Sequence, residues 1–100
     1  MNEEEIYRKA LIKFGANAQL RMVLEEAGEL IAAVAKFGRK INDTTFEQVA
    51  EEAADMEIML EQLGYVLDNI DVQGERRDFA EMVKMFRKAK LKRLEGMLSE

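Results

Sequence analysis

The chain has 100 residues, of which 48% are hydrophobic and 35% charged, and its formal net charge is −5 at pH 7. This length and composition are typical of one folded unit, so we expect residues 1–100 to form a single domain. The sequence contains neither Cys nor His, which excludes disulfides, thiolate zinc sites and imidazole catalysis. The acidic balance argues against nucleic acid as a partner, and no apolar run approaches the roughly 20 residues of a membrane span. We therefore expect a cytoplasmic protein that binds neither nucleic acid nor a membrane.

The fold class predicted from composition is all-α. Proline is absent, strong helix formers are abundant, and no stretch shows the two-residue alternation of a half-buried strand. Gly15-Ala16-Asn17 and the segment 71–74 contain the residues that interrupt helices. We expect about four helices in an antiparallel bundle, which is completed by oligomerisation. They are predicted over about residues 3–14, 18–37, 44–69 and 75–98.

The connection between the second and third helices carries signals for a helix end and a helix start. Gly38 is predicted to end the second helix as the glycine just after its last turn. Thr44 with Glu47, or Thr45 with Gln48, is predicted to form the capping box of the third helix.

A short acidic motif occurs once on each of the two middle helices. Residues 25–30 read Glu-Glu-Ala-Gly-Glu-Leu, and residues 51–56 read Glu-Glu-Ala-Ala-Asp-Met. With 100° between successive residues, one acid of each motif lies inside the apolar arc of its helix, and a second acid three residues later lies at the edge of that arc. The inner acids are Glu26 and Glu52, and the edge acids are Glu29 and Asp55.

Packing the two apolar faces together would bring these four carboxylates close to one another. Buried carboxylates that repel each other need cations or protons, and without His the suitable cations are hard divalent ions with oxygen ligands. Mg²⁺ is the predicted ion, and Mn²⁺ is its chemical alternative. The alternative is that these glutamates lie near the apolar stripe by chance and extend into solvent.

The motif resembles the EExxE…ExxD signature of the all-α nucleoside triphosphate pyrophosphohydrolases, the MazG-like proteins. Here the signature reads Glu25-Glu26-x-x-Glu29, then 22 residues, then Glu52-x-x-Asp55, and the similarity covers residues 19–63 directly. Relatives of that family include dimeric dUTPases, dCTP pyrophosphatases and phosphoribosyl-ATP pyrophosphohydrolases.

The resemblance implies a set of roles for these residues. Glu26, Glu29, Glu52 and Asp55 would bind Mg²⁺, and Glu25 would be the catalytic base that polarises the attacking water. It also implies a homodimer or homotetramer with the substrate near the subunit interface. The expected reaction releases a nucleoside monophosphate and pyrophosphate.

A triphosphate also needs cationic partners, for which Lys36, Lys90 and Arg93 are the candidates. Lys90-x-x-Arg93 is similar to a basic pair near the end of many family members, although Lys88 stands where those members often have Asn. A basic last turn would equally complement the helix dipole. Asn17 and Gln19 are candidates for contact with a nucleobase, while turn and capping roles explain them as well.

These expectations converge on a Mg²⁺-dependent enzyme that hydrolyses a nucleoside triphosphate, either an NTP or a dNTP, in nucleotide-pool sanitation. Within the same class, hydrolysis of phosphoribosyl-ATP is an alternative. From a different class, the chain could be a non-catalytic helical oligomeric interaction protein whose acids are solvated or pair with Lys and Arg.

Overall fold

The computed structural model describes residues 1–99, which form four α-helices and one small hairpin. The helices are α1 (Glu3–Phe14), α2 (Ala16–Arg39), α3 (Asp43–Asp68) and α4 (Phe79–Leu98). The predicted all-α fold class is confirmed, since the only strands in the described residues are two dipeptides. None of the described helices is long and apolar enough to cross a bilayer.

Gly15 separates α1 from α2. Its backbone has φ 84° and ψ 160°, a conformation that is open to glycine and strained by about 1–3 kcal/mol for other residues. The amide of Gly15 still donates to Leu11 O, and its own carbonyl accepts the first hydrogen bond of α2, from the amide of Gln19. The break is therefore one residue long, which is shorter than the predicted interruption, and α2 begins at Ala16 rather than Ala18.

Helix α2 ends two residues after Phe37, at Arg39, and the prediction that Gly38 ends it is wrong. Gly38 is not among the described residues with positive φ, and the helix continues through it to Arg39. Lys40 is the capping residue, with extended backbone at φ −146° and ψ 96°. The glycine is thus part of the last helical turn, because the chain leaves the helix without needing the left-handed conformation.

The start of α3 is capped by Asn42, so both predicted capping boxes are wrong. The Thr45 amide donates to Asn42 Oδ1 at 2.9 Å, and the Asn42 amide donates to Thr45 Oγ1 at 3.2 Å. Thr45 Oγ1 also donates to Lys40 O at 2.7 Å, and the Thr45 side chain is buried. The reciprocal pair satisfies amides that have no partner within the helix.

A two-stranded antiparallel hairpin precedes α4. Strands β1 (Asp71–Val72) and β2 (Glu75–Arg76) pair, and the two connecting residues, Gln73 and Gly74, have φ of 53° and 83°. Positive φ at both positions is the requirement of the tight turn that matches the twist of a hairpin. The hairpin replaces the first residues of the predicted last helix, which begins at Phe79 after the cap Asp78, not at Glu75.

The chain divides into two compact units, Met1–Val66 and Leu67–Glu100. In the described residues, the buried apolar side chains are Tyr7, Met59 and Val66, all in the first unit. Around them, the rings of Tyr7 and Tyr65 lie 5.5 Å apart. The second unit contains the hairpin and α4, and no described residue of α4 is buried. The expectation of a single domain over residues 1–100 stays a prediction.

Candidate metal centre

Helices α2 and α3 pair in antiparallel directions. Beside the connection between them, the rings of Phe37 and Phe46 have centroids 6.2 Å apart. Toward the other end, Met22 and Gln19 of α2 line the same pocket as Met59 and Gln62 of α3. Because the two helices run in opposite directions, residues near the start of α2 lie opposite residues near the end of α3. We call the line of facing side chains the α2–α3 seam.

Four carboxylates meet in the middle of the α2–α3 seam. One carboxylate oxygen from each of Glu26, Glu29, Glu52 and Asp55 lies within 4.8 Å of the others. Each helix contributes two acids three residues apart, which a helix places on neighbouring positions of one face. The antiparallel pairing then faces the two acids of α2 with the two acids of α3. We call these four residues the acidic cluster.

The two inner acids are the ones whose charge is most disfavoured. Burial raises the pKa of Glu26, and the negative charges of Glu29 and Asp55, a hydrogen bond with Glu29 and the charge of Glu25 raise it further. Burial likewise raises the pKa of Glu52, with added effects from a hydrogen bond with Glu29 and from the charges of Glu29, Asp55 and Glu26. The folded protein therefore holds protons or cations here more readily than an isolated glutamate does.

Two buried oxygens of the acidic cluster lack hydrogen-bond partners. Glu26 Oε2 and Glu52 Oε2 are inaccessible to solvent and have no donor within residues 1–99. The ion pairs found within residues 1–99 involve acids outside the acidic cluster, such as Glu4 with Arg8 at 2.8 Å and Glu81 with Lys84 at 3.4 Å. No Lys or Arg in this part of the chain forms an ion pair with the acidic cluster. Buried acceptors left without donors are uncommon, and a bound cation would satisfy both.

The donor set fits a hard divalent cation. All four side chains offer oxygen, the ligand atom that Mg²⁺ and Mn²⁺ prefer, and none offers the nitrogen or sulfur that favours zinc or copper. Glu29 is exposed while the other three are half-buried, so the acidic cluster opens to solvent on one side. That opening leaves room for water and phosphate oxygens, which Mg²⁺ retains as ligands in protein sites.

The other predicted site residues lie around the acidic cluster or on α4. Glu25 is exposed, lines the pocket beside Arg21 and Met22, and its charge acts on Glu26. Glu51 is exposed and stands outside the cluster, as the helical wheel predicts. Lys36 is exposed in the last turn of α2, two turns or about 10 Å along the axis from Glu29.

Lys90 and Arg93 belong to the second compact unit. They lie three residues apart on α4, on one face of the helix, and they line a pocket of about 250 Å³ together with Leu94 and Met97. Both side chains are exposed. A phosphate-binding role for these two residues stays a prediction.

Comparison of the chain with protein-family models, with curated proteins and with solved structures finds no match. The resemblance to the MazG-like pyrophosphohydrolases thus rests on the motif alone. Everything that it implies about activity, metal and substrate remains a prediction.

Proposed function

We propose that the protein is a Mg²⁺-dependent nucleoside triphosphate pyrophosphohydrolase. The reaction consumes one water molecule and converts an NTP or dNTP into a nucleoside monophosphate and pyrophosphate. The observation that carries this proposal is the acidic cluster, in which four carboxylates from two helices converge and leave a buried oxygen of Glu26 and of Glu52 without a donor. Adjacent buried acids without cationic partners lower the stability of a fold, so their presence favours a role in binding a cation.

The four residues of the acidic cluster are proposed to bind the catalytic cation. Glu26, Glu29, Glu52 and Asp55 hold the cation, with Mn²⁺ as a chemically similar substitute for Mg²⁺. When bound, Mg²⁺ supplies positive charge that neutralises the phosphate oxygens and orients the substrate. Phosphoryl transfer depends mainly on such positioning and charge neutralisation, so a small helical scaffold with few catalytic groups is sufficient.

Glu25 is the proposed base for the attacking water. It adjoins Glu26 in the chain, it is exposed, and its charge reaches the acidic cluster. An exposed carboxylate at the edge of the cluster can accept a proton from water and release it to solvent. Lys36, Lys90 and Arg93 are the proposed contacts for the phosphate tail, since an exposed ammonium or guanidinium group binds phosphate oxygens directly.

The active form is proposed to be a homodimer or homotetramer in the cytoplasm. Leu24 and Ile31 lie two turns apart on the same face of α2, with 73% and 70% of their surface exposed. On α4, Met85, Leu91 and Met97 are more than half exposed. Apolar faces of this kind normally become buried on a partner, and a second copy of the chain is the partner that is always present.

The proposal is tested by phosphorus NMR of the purified protein with each NTP and dNTP, in Mg²⁺ and in EDTA. We expect nucleoside monophosphate and pyrophosphate signals to appear in Mg²⁺ and to be absent in EDTA. Glu52→Gln should remove the signals, because it replaces a charged ligand of the cluster with a neutral amide. Glu51→Gln is the matched control on the next residue, which points away from the cluster, and it should hydrolyse substrate like the wild type.

Three outcomes would contradict parts of this account. Loss of activity in Glu51→Gln would show that the register of α3 has been misassigned. Triphosphates that all stay intact would move the test to phosphoribosyl-ATP, the alternative substrate. If that compound also stays intact, the chain is a helical interaction protein rather than an enzyme.

A further inference from the structure

A pocket of about 410 Å³ in the first compact unit is lined by residues of α1, α2 and α3, among them Glu25, the neighbour of Glu26 in the chain. It lies where the end of α1 meets α2 and α3, and its volume falls in the range of about 300–1,000 Å³ that small-molecule sites occupy. Its lining combines apolar side chains with a few polar groups, which is the usual composition of such sites. The residues that matter here are Phe14, Gln19, Met22, Glu25, Met59 and Gln62.

The apolar part of the lining is suited to a flat ring. Met22 and Met59 face each other across the α2–α3 seam, and Phe14 lies at the end of α1 with 58% of its surface exposed. Thioether and aromatic side chains pack favourably on π-systems, and methionine adapts its shape to the ligand.

The polar lining includes the exposed charged side chains Arg21 and Glu25. Its buried polar groups are two carboxamides. Gln19 is 5% exposed and Gln62 is 6% exposed. Gln62 Nε2 donates to Tyr7 O at 3.3 Å, which fixes this amide to α1. Gln19 Oε1 is buried and has no donor within residues 1–99. A buried acceptor without a donor is costly to the fold, and a ligand N–H would satisfy it.

The spacing along the α2–α3 seam relates this pocket to the acidic cluster. Gln19 precedes Glu26 by seven residues, which is two turns or about 10 Å along the helix, and Met22 lies between them. On α3, Gln62, Met59 and Asp55 repeat this order in the opposite chain direction. A nucleoside monophosphate has a comparable length, so a phosphate at the acidic cluster places its base beside the two amides.

We infer that this pocket binds the nucleobase of the substrate, with Gln19 Oε1 accepting a hydrogen bond from an N–H of the base. The methionine pair and Phe14 hold the faces of the base. The location of the phosphate rests on the proposed function, whereas the pocket and its unsatisfied acceptor do not. Asn17 is exposed and does not line this pocket.

The test is a titration of the protein with the four deoxynucleoside monophosphates and uridine monophosphate in EDTA, followed by NMR chemical shifts. We expect at least one of them to bind and to shift the signals of Gln19, Gln62, Met22 and Met59. An analogue of that ligand with a methyl group on the base nitrogen should bind about five- to tenfold more weakly, the usual effect of losing one hydrogen bond.

Gln19→Met removes the acceptor and keeps the side-chain length. It should weaken binding of the parent ligand five- to tenfold and leave the affinity for the methylated analogue unchanged. A merely structural role of Gln19 would not give this pattern. Gln48→Met is the matched control, since Gln48 lies on α3 outside the pocket, and it should bind like the wild type. If Gln19→Met does not fold, Ala18→Leu narrows the same pocket and should abolish binding.

The outcomes separate the pocket from the hydrolysis reaction. Binding in EDTA without hydrolysis in Mg²⁺ would support the pocket and contradict the proposed reaction. Hydrolysis that is unaffected by Gln19→Met and by base methylation would support the reaction and overturn the pocket. Absence of any shift at these four residues with all five nucleotides would also overturn it.

Discussion

At the beginning of α3, Asn42 and Thr45 satisfy each other's backbone amides, whereas two turns later Glu52 buries an oxygen that accepts no hydrogen bond from any described group. The same difference separates other helix ends from the α2–α3 seam. Asn2 caps α1 by accepting from the Glu5 amide at 2.8 Å, and Asp78 caps α4 by accepting from the Glu81 amide at 3.1 Å. In the seam, the buried oxygens without a donor belong to Gln19, Glu26 and Glu52.

This contrast teaches which polar groups serve the fold and which are available for a ligand. A capping side chain stabilises its helix because it pairs with an amide that would otherwise be unsatisfied. A buried carboxylate or amide oxygen without a donor does the opposite and lowers stability until something binds to it. Substitutions in the seam and at the caps should therefore have opposite effects on activity and stability.

The largest expected effect is the loss of hydrolysis in Glu26→Gln. Replacing one cluster carboxylate should lower kcat/KM by at least about 100-fold, the upper range seen when the surroundings of a metal are altered. Its free energy of unfolding in EDTA, measured by urea denaturation, should equal or exceed that of the wild type, because a buried charge is removed. Glu57→Gln, at an exposed position of α3, is the control and should change neither quantity. A Glu26→Gln protein that unfolds readily would contradict the account.

Asn42→Ala should show the reverse pattern. Removing the cap of α3 should lower the free energy of unfolding by about 1 kcal/mol, within the range of about 0.5–2 for such caps. Hydrolysis measured well below the melting temperature should stay within about twofold of the wild type. Loss of activity at unchanged stability would place Asn42 in the site instead.

The smallest expected effect is a dependence of stability on pH. Because the folded-state pKa values of Glu26 and Glu52 lie above the ordinary glutamate value, the folded protein binds more protons than the unfolded chain between those values. This contribution to stability therefore falls as pH rises through the raised pKa values, and it recovers as pH approaches the ordinary glutamate pKa of 4.5. In EDTA, the double variant Glu26→Gln/Glu52→Gln should be more stable than the wild type at neutral pH.

Taking the difference in free energy of unfolding between the wild type and the double variant at each pH cancels the contribution of all other acids. The stability difference should shrink as the pH of the urea measurements is lowered toward 4.5. A difference that grows on acidification would mean that the folded protein favours the charged form of these glutamates, contrary to the burial described above.

The sequence predicted the helices well and their ends less well. Continuous helix-forming composition and isolated glycines indicate where α1, α2 and α3 lie, because local propensity acts over many residues. A helix end depends on the φ and ψ of one or two residues, which a glycine permits but does not require. Gly38 thus remained helical, and a run of cap-forming residues from Asn42 to Thr45 contained several possible caps. The hairpin was missed because Gln73, not a typical turn residue, adopts positive φ.

The acidic cluster could be anticipated because the i and i+3 spacing fixes the position of each pair on its own helix. The amide pocket could not, since Gln62 becomes relevant only when the register between α2 and α3 is known. Its only signal in the sequence is the mirrored order of Gln, Met and acids at equal spacings on the two helices. The spacing of Lys90 and Arg93 fixes their positions on one helix. Their positions relative to the substrate depend on the tertiary arrangement, which the spacing does not determine.

The most direct test of the central claim, that the acidic cluster binds a divalent cation, is thermal melting during titration with Mg²⁺ at constant ionic strength. The melting temperature of the wild type should rise along a binding curve. At a Mg²⁺ concentration of one hundred times Kd, the free energy of unfolding should be higher by about 2.7 kcal/mol. Glu51→Gln should respond equally, and Glu26→Gln/Glu52→Gln should not respond. A melting temperature that Mg²⁺ leaves unchanged, or raises equally in the double variant, would contradict the claim.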